Sequence, residues 1–149
     1  MPATLDTELE MGRVTAHAKI ENLEDVMMVR AGKLDPSEVR SVEVDDALID
    51  TGCTVMGLPK RYIEQLGLSL VRTKNTIAAT GLTEARIFGT VRLTVQDRDC
   101  PVDVMELPDE CPVIIGQIPL EYFDFVVDLR ERKLIGNPAH NGEQIYEML

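Results

Sequence analysis

Residues 12–20 alternate, with Val14, Ala16, Ala18 and Ile20 apolar and Arg13, Thr15, His17 and Lys19 polar between them. A period of two marks a strand with one buried face, so this stretch predicts the first strand of a sheet. Residues 21–40 are ambiguous, because Leu23, Val26, Met27 and Leu34 fit one helical face while 26–29 fit a short strand. The segment reads as an insertion. Within it, Asp35-Pro36-Ser37-Glu38 supplies a capping side chain, a proline at the first helical position and a glutamate three residues after the cap, which predicts a single helical turn.

Alternation resumes at 41–44, and Ala47-Leu48-Ile49 is an apolar run that stops at Asp50-Thr51-Gly52. A buried strand ending in a tight turn is expected there. Pro59 opens a helical stretch with Tyr62, Ile63 and Leu66 on one face and Gly67 where a left-handed C-terminal cap belongs. Further strands are predicted around 76–80, 90–95, 102–105 and 112–116, with a polar turn at Asp97-Arg98-Asp99. Residues 125–127 and 133–135 complete the pattern, joined by a turn at 130–132. No repeat, low-complexity stretch or Pro- or Gly-rich linker divides the chain. The architecture expected is mainly β: a closed barrel-like sheet with one or two short helices, in a single domain over 11–149. A flexible segment, 1–10, precedes it. In the tail, 137–149, the apolar Ile145, Met148 and Leu149 allow strand pairing with another element.

Composition narrows the function classes. At 149 residues, 44% hydrophobic and 28% charged, the chain suits one globular core. No apolar run approaches the ~18 residues of a membrane span, and the amino terminus is acidic where a signal peptide is basic and then apolar. A soluble cytoplasmic protein without a membrane partner is expected. The 26 acidic against 15 basic residues give a net charge of -11, which repels phosphate backbones and excludes nucleic acid as a partner. Cys53, Cys100 and Cys111 form no CxxC pair, so neither a disulfide framework nor a zinc site is suggested.

The sharpest feature is the apolar strand that delivers Asp50 into the turn Asp50-Thr51-Gly52, followed by Cys53 and Thr54. The strand fixes the backbone, Gly52 permits the turn, and the Thr51 hydroxyl can hydrogen-bond across a neighbouring copy of the loop. An Asp-Thr-Gly tripeptide occurs by chance in about three chains in a hundred of this length, so its context decides. Some sixty residues later a second apolar stretch, Val113-Ile114-Ile115, ends in Gly116 and leads into Pro119-Leu120-Glu121-Tyr122. With both motifs in place, the chain resembles the retroviral-type (retropepsin-like) aspartic proteases, as a single-domain bacterial-type member, over 12–135.

That resemblance implies a retropepsin-like closed β-barrel that works as a symmetric homodimer. The chain holds one Asp-Thr-Gly and no Asp-Ser-Gly, so a complete site requires a second copy. Chemistry gives the same answer, since a lone exposed carboxylate titrates near about 4 and is a poor acid or base at neutral pH. Two carboxylates a few ångströms apart share a proton, so one can activate water while the other donates to the scissile carbonyl. The expectation is an aspartic endopeptidase with Asp50 catalytic in each subunit and neither metal nor organic cofactor. Thr51, Gly52 and Thr54 support the loop, and Ile114, Ile115 and Gly116 form the second-motif turn. A peptide or protein substrate would lie extended in the cleft. The resemblance further implies a flap at 75–90, with Thr80, Gly81 and Leu82 at its tip, and a dimer strand in the tail. The retroviral enzymes have flaps richer in glycine and a charged or Asn side chain where this chain has Gln117-Ile118, and they lack the 21–40 insertion.

Other readings compete at each position. Asp50 can be a turn residue capping its own loop, and the whole can be a catalytically weak or inactive peptide-binding dimer on the same fold. Cys53 could act as a nucleophile with His17 or His140 as base, but a small part-buried thiol fits it better. Asp45, Asp46 and Asp50 match no calcium loop and read as a solvated acidic strand end. Arg86 reads as a solvated charge.

Overall fold

A computed structural model describes residues 13–148. The segment expected to be flexible at 1–10 lies outside them, as does Leu149. The chain is mainly β. It runs β1 (Val14–Asn22), α1 (Leu23–Arg30), β2 (Ser41–Ile49), β3 (Met56–Pro59), α2 (Lys60–Leu66), β4 (Ser69–Ala78), β5 (Gly81–Val95), β6 (Arg98–Leu107), β7 (Ile114–Ile115), α3 (Gln117–Phe123), β8 (Phe125–Asp128) and β9 (Lys133–Gly136).

Seven strands form one sheet in the order β1-β2-β7-β3-β6-β5-β4, and β1 pairs with β5 as well as β2. The sheet therefore curls until its first strand meets its sixth, leaving β4 outside the ring. Inward-facing Ile20, Met56, Leu58, Leu93, Val104 and Ile115 are fully buried in the resulting core, as the alternation in β1 and β5 requires. Burial at this level stabilises by roughly 1.5–3 kcal/mol for each large side chain. A buried Glu21 faces Arg92 across the β1–β5 seam, with Arg92 Nη2 2.8 Å from Glu21 Oε1. β8 and β9 form a separate two-stranded sheet.

The ambiguous 21–40 segment is resolved as helix α1 and a 3-10 turn at Pro36–Glu38, where Asp35 accepts from the Ser37 amide as its capping position predicts. Periodicity could not decide α1, because its buried residues are Val26 and the charged Asp25. Asp25 is buried because Arg40 donates to it from Nε, Nη2 and its backbone amide at 2.9, 3.0 and 3.0 Å. These bonds hold the Asp25 carboxyl below its usual range. Asn22 caps α1 through its Oδ1 and donates from Nδ2 to the Leu66 carbonyl at the end of α2. The insertion is thereby fastened to the sheet.

Helix α2 ends at Gly67, left-handed at φ 64°, as its place after Leu66 predicts. A Cβ there would also collide with the Arg40 guanidinium. The strand expected at 76–80 is longer and earlier, Ser69–Ala78, with Ala79 and Thr80 in the turn. Its first part, 69–75, is not predicted, because the side chains there are exposed on both faces and leave no alternation to read. The turn expected at Asp97-Arg98-Asp99 is centred instead on Gln96 and Asp97, both at positive φ. Arg98 opens β6, where its guanidinium stacks over Phe125 and donates to the carbonyls of Phe123, Asp124 and Gly142.

Candidate active site

The Asp50 loop is assembled from two distant pieces of chain. β7 lies parallel to β2, pairing Leu48 with Ile114 and Ile49 with Ile115. The Leu48 amide donates to the Val113 carbonyl at 2.8 Å and the Asp50 amide to the Ile115 carbonyl at 3.0 Å. Asp50 thus leaves the strand with its backbone fixed, and its half-buried side chain turns into the loop. There Oδ1 accepts from the Gly52 amide at 2.9 Å, and the Cys53 amide closes the turn on the Asp50 carbonyl at 3.1 Å.

Gly116 makes the second crossing. A Cβ on it would collide with the carbonyl oxygens of Val55 and Cys53, so glycine is required by close backbone approach. Beyond it, the Gln117 and Ile118 amides at the start of α3 donate to the Cys53 and Thr54 carbonyls at 2.7 and 3.0 Å. Two orphan helix donors are satisfied by the loop they support. Asp50, Thr51, Gly52, Thr54, Ile114, Ile115 and Gly116 therefore belong to one interlocked unit. The roles of Gln117 and Ile118 were missed, since backbone amides leave no trace in residue type; the Gly116 that permits them was the available signal.

Thr51, Gly52 and Thr54 are exposed, so the loop lies open on one surface of the chain. A groove of about 550 Å3 opens elsewhere, lined by residues including Thr15, His17, Lys19, Gln96 and Lys133. Residues 80–82 cap the β4–β5 hairpin, with Thr80 in the turn and Gly81 at φ 113°. At its end Ile77 and Leu82 face one another across the ladder, 86% and 74% exposed.

His17 and His140 are engaged elsewhere. His17 meets Asp45 through Nδ1 at 2.7 Å and Glu43 through Nε2 at 3.5 Å. Bonding to Asp45 raises its pKa. His140 joins Asp124 at 2.5 Å and Glu147 at 2.8 Å. Cys53 is part-buried with Sγ 3.4 Å from the Val55 carbonyl. Arg86 pairs with Glu106 at 3.3 Å and lies over the Phe88 ring. Among the described residues no three His, Cys, Asp or Glu side chains form a group able to hold a metal ion, and no helix is long and apolar enough to cross a membrane.

No protein-family model and no curated protein matches this chain. Among solved structures it is similar to the solution structure of the Simian Foamy Virus (mac) protease, at 14% identity and a TM-score of 0.45, over 72% of this chain and 92% of that one.

The tail does not extend as a strand among the described residues. Pro138–His140 is a 3-10 turn, and 143–148 folds back on α3. Gln144 Nε2 donates to the Tyr122 carbonyl, the Ile145 amide to Asp124 Oδ2, and the Tyr146 and Tyr122 rings lie 5.4 Å apart.

Proposed function

We propose that the chain is one half of a homodimeric aspartic endopeptidase of retropepsin-like, closed-barrel type, in which Asp50 of each subunit forms the catalytic dyad. The observation that carries this reading is the interlock of the Asp50-Thr51-Gly52 loop with Ile114 to Gln117, which fixes a carboxylate at an open surface where a second copy can meet it. The exposed Thr51 would hydrogen-bond across to its partner's loop. Three free cysteines suit a reducing cytoplasm.

In the reaction, two adjacent carboxylates cannot both ionise and so hold one proton between them. The ionised Asp50 takes a proton from water as the water oxygen bonds the scissile carbonyl carbon. The protonated Asp50 gives its proton to the carbonyl oxygen. The tetrahedral diol then collapses: the Asp50 that took the water proton passes it to the nitrogen, the C–N bond breaks, and a diol hydroxyl returns its proton to the other Asp50, restoring the shared proton. The β4–β5 hairpin covers the extended substrate, offering Ile77 and Leu82 to its side chains.

The test is mass-spectrometric detection of cleavage in a diverse peptide pool between about pH 4 and 7, with native protein beside Asp50→Asn at concentrations favouring the dimer. Cleavage by the native protein alone is expected. Cleavage by both overturns the assignment. Cleavage by neither, with peptides retained, favours a peptide-binding dimer.

A further inference from the structure

The β4–β5 hairpin leaves the body of the protein at a double irregularity. β6 pairs with β5 only from Ile87 onward, so 81–86 pair with β4 alone and the ribbon beyond them projects. At its base β4 carries an extra residue between Leu70 and Arg72, and β5 slips register between Phe88 and Val91. Bulges leave a residue out of the ladder and bend the strand. Here both arms bend at one level, because Leu70 pairs with Phe88.

One side chain ties both arms at that level. Asp103, on β6, accepts from Thr90 Oγ1 of β5 at 2.7 Å and pairs with Arg72 Nη2 of β4 at 3.5 Å. Gly89 lies so close that a Cβ would collide with the Asp103 carboxylate. The Asp103 side chain is 29% exposed and that of Arg72 50%, so the pair is only partly shielded from solvent. The second tie to the ribbon, Arg86 with Glu106, lies higher and joins β5 alone.

We propose that Asp103 is the positioning residue that sets the angle of the projecting hairpin, holding both of its arms at the joint where the ribbon leaves the sheet. Its relevance to turnover rests on the reading of that hairpin as the cover of a peptide cleft, but the joint itself is testable without any activity. Each bulge leaves one residue out of the ladder and so weakens its hold on the bend, and the ionic clasp from β6 adds a tie to both arms where the ladder is interrupted.

The experiment is hydrogen exchange with peptide-level readout on the full chain, comparing native protein with Asp103→Ala and Asp103→Asn. In Asp103→Ala, amides of 72–86 should exchange about tenfold faster while those of β1 and β2 stay within about twofold. Asp103→Asn keeps an acceptor for Thr90 and should restore part of the protection. Arg72→Gln and Thr90→Val remove the two ties singly, and each should give a smaller rise in the same segment, which serves if Asp103→Ala does not fold. Unchanged exchange in 72–86, or an equal rise across β1 and β2, overturns the proposal. If peptide cleavage is established, Asp103→Ala should raise KM more than it lowers kcat. Localised exchange without any cleavage would leave the joint standing and remove only its link to proteolysis.

Discussion

The amide of Gln117 donates to the carbonyl of Cys53 across 2.7 Å, so the first turn of α3 is seated on the loop that carries Asp50. Anything that lifts α3 moves the carboxylate. Gly116, the residue before that amide, is where such a disturbance enters most easily. Gly116→Ala should destabilise the fold by about 2–3 kcal/mol in denaturant titration, as the new methyl displaces the Val55 and Cys53 carbonyls.

Asp50→Asn should leave stability within about 1 kcal/mol of native, because the Asn carbonyl can still accept from the Gly52 amide. Circular dichroism and denaturant titration check this. Lost cleavage would then report on the carboxylate rather than on unfolding.

Asp25→Ala strands the three donors of Arg40 and should cost about 1–3 kcal/mol, with exchange rising first in α1. The Asp25 carboxyl sits below its usual value in the folded state, so its contribution is present above the unfolded value of about 4 and is lost as pH falls through the folded one. The native-minus-mutant stability difference should therefore shrink on acidification below about pH 4.

The tail latch responds at both ends of the pH scale. Hydrogen bonds from His140 and Asn137 bring Asp124 down to about 2, and bonding to Asp124 and then Glu147 raises His140. The His140 contribution is full below its unfolded value of about 6.5 and is lost as pH rises through the raised folded value. That of Asp124 is full above about 4 and is lost toward about 2. Docking of 143–148 should thus be firmest between about pH 4 and 6.5. Limited proteolysis across pH checks it, and His140→Ala should flatten its alkaline side.

Ile77→Ser and Leu82→Ser remove apolar surface that is already in water, so stability should change by no more than about 0.5 kcal/mol. Peptide affinity should fall several-fold, measured as KM or by direct binding. Equal affinity in both variants would remove the hairpin end from the substrate site.

Much of this was readable in one dimension. β1 is legible from its alternation, and α2 because it buries one face and ends on Gly67. Asp50-Thr51-Gly52 and Ile114 to Gly116 stood out because a run of buried apolar residues breaks abruptly at each. What stayed hidden depends on partners distant in sequence. Asp25 looks like an exposed helical charge until Arg40 is placed beside it. The first part of β4, 69–75, looks like loop because it is exposed on both faces. The tail reads as a strand by its apolar spacing, but Asp124, Tyr122 and His140 draw it back against α3.

The wedge of β7 between β2 and β3 also fixes when, during folding, the site comes into being. Leu48 and Ile114 must find one another across nearly half the chain, a long closure that is entropically slow and ordinarily late. A nascent chain that has emerged as far as β6 holds the Asp-Thr-Gly loop with the Asp50 amide still lacking its acceptor. Emergence of β7 is therefore the event that gives the Asp50 amide its acceptor and the loop its final geometry.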